Sequence, residues 1–110
     1  MKLSQLFVRL LGRRAIARLG RNIHIHWSAR LAGDGPISIL DRVTINRGVF
    51  IEGRVEIGEQ TKLNDYSFLS GHGGSITLGR GCSVGPYSVL YGHGGLKIGD
   101  NVRIAAHTVI

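Results

Sequence analysis

The 110-residue chain has room for one small domain, which excludes a multidomain enzyme. Its 17 glycines are about twice the usual share of roughly 7%, but only 2 prolines accompany them, which excludes a collagen-like chain or a Pro/Gly-rich linker. The net charge of +7 belongs to the first thirty residues: Lys2, Arg9, Arg13, Arg14, Arg18, Arg21 and Arg30 all precede the first acid, Asp34, and the remaining basic residues balance the 7 acids.

Residues 1–21 read as a basic amphipathic helix. Leu3, Leu6, Phe7, Leu10 and Leu11 recur at helical spacing, with Lys2, Ser4, Gln5 and Arg9 off that stripe. The spacing predicts a helix over 2–19 that ends near Gly20. Two roles fit it: a cap over the open first coil of the body, or contact with an anionic membrane surface, where each basic residue adds about 1 kcal/mol. A mitochondrial transit peptide is similar in composition but richer in serine. Arg9 interrupts the one stretch resembling a signal-peptide core, and no apolar run approaches the ~18 residues of a membrane span. Nucleic acid is not an expected partner, because the body is neutral and has no base-stacking aromatic set. The single cysteine, Cys82, excludes an internal disulfide and suits a reducing cytoplasm, with the inner membrane face as a peripheral site.

Residues 22–36 read as a lead-in segment. His24 and His26 alternate with Ile23 and Ile25, as on the outer face of a strand. Trp27 is expected to seal the first coil.

From Ile37 onward the chain repeats. An aliphatic residue returns every six positions at Ile39, Ile45, Ile51, Ile57, Leu63 and Leu69, then at Leu78, Val84 and Leu90, then at Ile98, Ile104 and Ile110. The residue two before each is small, β-branched or aliphatic, from Ile37 to Thr108, and Cys82 among them reads as a buried filler. Apolar–x–apolar is a short strand with both flanking side chains on one face. A six-residue strand-plus-turn cannot bury that face alone, so the units must stack into a solenoid. Three rungs per turn give four coils over residues 37–110. The steps Leu69–Leu78 and Leu90–Ile98 are too long, and both extensions follow a third rung and carry Gly-His-Gly-Gly, at 71–74 and 92–95. Two like loops are therefore expected to stack at one corner.

The run Ile-Gly-x-x-small-x-aliphatic resembles the hexapeptide repeat of the left-handed parallel β-helix. The resemblance covers residues 37–110 and implies an all-β solenoid of about four left-handed coils behind the N-terminal amphipathic α-helix. Within that class, Leu63-Asn64-Asp65, Gly85-Pro86-Tyr87, Ile98-Gly99-Asp100-Asn101-Val102 and residues 104–110 resemble bacterial acyltransferases of the maltose/galactoside and exopolysaccharide acetyltransferase group. That resemblance implies a homotrimer, acetyl-CoA as donor, and a sugar or glycan hydroxyl as acceptor. It also implies one histidine as general base, with an asparagine one coil earlier in the same site, completed by an adjacent subunit.

His93 takes the histidine's place, one coil after Asn64 and just past a third rung. It comes three residues after Leu90, whereas the family's histidine comes five after its aliphatic. The alternative placement puts the base beyond Ile110 and makes this chain a truncated member. His72 in the sister loop, Tyr91 before the second loop and Asp65 beside Asn64 complete the candidate substrate-binding set. Each also has a plain reading: a solvated turn histidine, an exposed aromatic, an Asx-turn acid. His107 reads as a solvent-facing turn residue.

The γ-class carbonic anhydrases share the architecture and hold zinc through three histidines. Aligning their motifs puts Ser70, Pro86 and Tyr91 at the ligand positions, so no metal is expected. The first functional expectation is an O-acetyltransferase of polysaccharide or lipopolysaccharide modification. The second is a non-catalytic trimeric β-helix scaffold or inactive fragment.

Overall fold

A computed structural model describes residues 16–33 and 35–110. The stretch expected to carry the N-terminal helix lies outside the described residues as far as residue 15. What is described is a three-sided prism of parallel strands.

Face A holds β1 (Ile16–Leu19), β4 (Ile37–Ile39), β7 (Val55–Ile57), β10 (Ile76–Leu78) and β13 (Leu96–Ile98). Face B holds β2 (His24–Ile25), β5 (Thr44–Ile45), β8 (Lys62–Leu63), β11 (Ser83–Val84) and β14 (Arg103–Ile104). Face C holds β3 (Arg30–Ala32), β6 (Phe50–Glu52), β9 (Phe68–Ser70) and β12 (Val89–Tyr91). A bridge from Val89 to Val109 begins a fifth level on face C. Each strand pairs in parallel with the strand three along, so every third rung completes a coil. The β-solenoid expected from the repeat is the fold, and its four coils from Ile37 on are in the expected register.

The stacking aligns like with like. Ile39 lies under Ile57 and Leu78, Ile45 under Leu63 and Val84, and Ile51 under Leu69 and Leu90. Nearly all of these are fully buried. Each such side chain contributes about 1.5–3 kcal/mol by leaving water. The second inward position takes small, β-branched or aliphatic residues. Cys82 is buried there, with its thiol donating to the Gly99 carbonyl at 3.0 Å. Thr61, Ser67 and Ser88 are buried at equivalent positions.

Three expectations for the N-terminal part are corrected. Residues 16–19 are strand, not the end of a helix: β1 pairs with β4 through Ile16–Ile37 and Leu19–Ile39. Residues 22–36 are no lead-in segment, because β2 and β3 pair with β5 and β6 and complete a level below the first expected coil. The physical reason lies in the repeat itself. Leu19, Ile25 and Leu31 keep the six-residue step, with Ile23 and Ala29 two before the last two, while a bulge between Ile16 and Arg18 sets Ile16 opposite Ile37. Ile23 and Ile25 are as buried as any residue of the later coils. Trp27 does not seal this level. It projects from the corner between β2 and β3 and is 68% exposed.

Candidate functional site

The three corners differ in chemistry. The corner between faces C and A is the site of the long connections. In the third level it is residues 71–75, and in the fourth it is residues 92–95. The loops lock through backbone contacts: Ser75 N–H donates to Gly92 O at 3.0 Å, and Leu96 N–H donates to Ser75 O at 2.8 Å. Glycine is needed at 74 for close approach, because a Cβ there would run into the Gly92 carbonyl oxygen. His72 itself takes a left-handed conformation, φ 44°.

This locking brings the two loop histidines together as expected. The His72 and His93 ring centroids are 3.9 Å apart, with planes tilted by 46°. Tyr91 meets both edge-on, at 6.3 Å from His72 and 5.7 Å from His93. Both imidazoles are exposed, and Tyr91 is 42% exposed. Below Tyr91, Ser70 is buried and donates its hydroxyl to Glu52 at 2.8 Å. The corner thus offers two imidazoles and a phenol at an accessible edge, over a buried serine bonded to a half-buried glutamate. Imidazole can take a proton from a hydroxyl, and its neighbour can orient or share that proton.

Asn64 is not in this cluster. It lies at the corner between faces B and C, where its amide donates to Val84 O at 2.8 Å and Ser83 Oγ at 3.3 Å. The expectation that Asn64 and His93 share one site within a chain is therefore corrected. Asn64 follows a second rung and His93 a third, so a whole prism face separates them. Asp65 sits beside Asn64, half-buried, and its backbone carbonyl accepts the Tyr87 N–H at 3.0 Å. Of the candidate residues, the structure groups His72, His93 and Tyr91 at one corner and Asn64 and Asp65 at another.

Sequence reasoning passed over an aromatic column at this second corner. Tyr66 stacks on Tyr87 at 5.3 Å, and Tyr87 on His107 at 5.4 Å. All three take left-handed backbone conformations near φ 60°. Beneath them Gly48, φ 66°, leaves room for the Tyr66 ring, which a Cβ would strike. The signal was available: 66, 87 and 107 are spaced as Leu63, Val84 and Ile104 are.

Face C, between these corners, differs from the other two outward. Face A presents Ser38, Glu56, Thr77 and Lys97, and face B presents His24, Thr44, Lys62, Ser83 and Arg103. Face C presents Phe50, Phe68, Val89 and Val109 in one column above Arg30, with Phe50 and Phe68 stacked at 4.9 Å. No three His, Cys, Asp or Glu side chains among the described residues converge to hold a metal ion. No helix among them is long and apolar enough to cross a membrane.

The chain matches no protein-family model, no curated protein sequence and no solved structure.

Proposed function

We propose that this chain is a hexapeptide-repeat acyltransferase that moves an acetyl group from acetyl-CoA to a sugar or glycan hydroxyl. The observation that supports this reading best is the pairing of His72 and His93, from two stacked Gly-His-Gly-Gly loops, beside Tyr91. In the proposed reaction His93 takes the proton of the acceptor hydroxyl as its oxygen attacks the thioester carbonyl. The tetrahedral oxyanion is stabilised by backbone N–H groups. Its collapse forms the ester and expels the thiolate of coenzyme A, which receives the proton back from His93. Tyr91 walls the acceptor, and His72 holds the His93 ring.

The proposed assembly is a homotrimer formed over face C. Asn64 and His93 flank that face at opposite corners, so a neighbouring copy packed there would bring its Asn64 corner toward His93. The aromatic column Phe50–Phe68 favours burial of the face. A cytoplasmic location, peripheral on the inner membrane face, belongs to the same reading.

A second reading, a non-catalytic scaffold of the same trimer, is favoured by one observation. The Asn64 amide is already engaged on Val84 and Ser83 of its own chain. The deciding assay follows thiol release from acetyl-CoA with candidate sugars in wild type, His93→Ala and His72→Ala. Acceptor-dependent release lost in His93→Ala supports the transferase. Release unchanged in His93→Ala removes the proposed base, and no release with any acceptor favours the scaffold.

A further inference from the structure

The first level of the prism carries a charge pattern that no other level shares. Going round its rim, Arg18 stands on face A, Arg21 at the A–B corner, His24 on face B, Trp27 at the B–C corner and Arg30 on face C. All five are exposed. Residues 16–32 contain no acid. From residue 35 on, the second, third and fifth levels mix both signs, as in the Arg42–Glu59 pair at 3.4 Å, and the fourth carries Arg80 alone.

The shape of this pattern selects its partner. A duplex lying along the prism would touch one face and meet only one or two of the three arginines. A plane meeting the end of the prism can touch all three faces of the rim together. Trp27 fits such a plane for a second reason. A tryptophan 68% exposed at a basic rim, with its ring 5.4 Å from that of His26, suits the headgroup level of a bilayer, where one edge stays wet and the ring body is apolar. We infer that the first level is a docking surface for an anionic lipid bilayer, with the coil axis standing off the membrane and Trp27 set among the headgroups. This surface does not depend on the transferase reading.

Trp27 is the single tryptophan of the chain, so its emission reports this surface alone. The test uses the full chain with vesicles of phosphatidylglycerol and phosphatidylcholine, and with vesicles of phosphatidylcholine only. Co-sedimentation is expected with the anionic vesicles at low salt and not with the neutral ones. Trp27 emission should shift to the blue and be quenched by brominated acyl chains. In the R18Q/R21Q/R30Q variant, partitioning should fall about fivefold per arginine, roughly a hundredfold in all. All three side chains are exposed, so an unchanged circular dichroism spectrum and urea midpoint will show that the variant is folded. Anionic vesicles bound with Trp27 emission unmoved would overturn the inference. So would equal binding by the triple variant, or duplex DNA that shifts Trp27 emission and displaces the vesicles.

Discussion

Thr61 and Ser67 occupy like positions in one coil, both fully buried, yet removing their hydroxyls should move stability in opposite directions. The Thr61 hydroxyl donates to Gly79 O at 2.8 Å and accepts the buried Cys82 N–H at 3.2 Å. Thr61→Val keeps the shape and deletes the oxygen, leaving that N–H and that carbonyl without a partner. Orphaning a buried backbone group costs about 1–3 kcal/mol, so the variant should lose about 2 kcal/mol. The Ser67 hydroxyl has no partner at all. Ser67→Ala removes an unpaired buried oxygen without removing carbon, and should gain about 1 kcal/mol. With a urea slope of about 2 kcal/mol/M, the midpoint should fall about 1 M in the first variant and rise about 0.5 M in the second. Urea unfolding followed by circular dichroism reads both. Equal destabilisation by the two substitutions would refute the reasoning, because it would mean that burial alone, and not hydrogen bonding, sets the value of the inner hydroxyls.

Leu69→Ala, in the middle of the stack and fully buried, should cost about 2–5 kcal/mol in the same urea assay. Gly74→Ala places a Cβ against Gly92 O, so it should part the two loops; the His72 and His93 imidazole proton resonances should then move by NMR, while Gly94→Ala, with open space at its Cβ, should leave the loop contact far less disturbed. Phe68→Glu puts a charge in the centre of face C; on the proposed trimer, sedimentation equilibrium should give three times the chain mass for wild type and the monomer mass for the variant.

The parts of the fold legible in the chain are those where one period acts alone. From Ile37 on, the six-residue step is unmixed, and it yields strands, register and the bulging corner. The same step runs through Leu19, Ile25 and Leu31, but there it overlaps a helical spacing of leucines and a dense set of arginines. Local periodicity over 2–19 favours a helix; pairing of β1 with β4 decides for a strand at 16–19. The close approach of His72 and His93 was legible because both occupy the same position of the same loop type. Separation of Asn64 from His93 could have been counted, since one follows a second rung and the other a third. Exposure of Trp27 could not, because the pattern of spacing is the same for a corner residue that is covered and one that stands free.

The two proposed surfaces have a fixed relation because both are read off the same coil axis. The basic rim is the first level, and His72 and His93 belong to the third and fourth. Parallel strands stack about 4.8 Å apart, so the histidine corner stands roughly 10–14 Å above the rim. With the rim on a bilayer, an acceptor hydroxyl at the lipid headgroup itself would lie too low for His93. A sugar carried further out on a lipid-linked glycan would reach it. The two proposals together therefore favour acceptors of more than one sugar over a simple glycolipid. In the thiol-release assay on anionic vesicles, an oligosaccharide-bearing lipid should be acetylated faster than a monosaccharide-bearing one. Loss of that preference in R18Q/R21Q/R30Q would tie it to docking at the rim. An equal preference in that variant would place the selection in the corner itself.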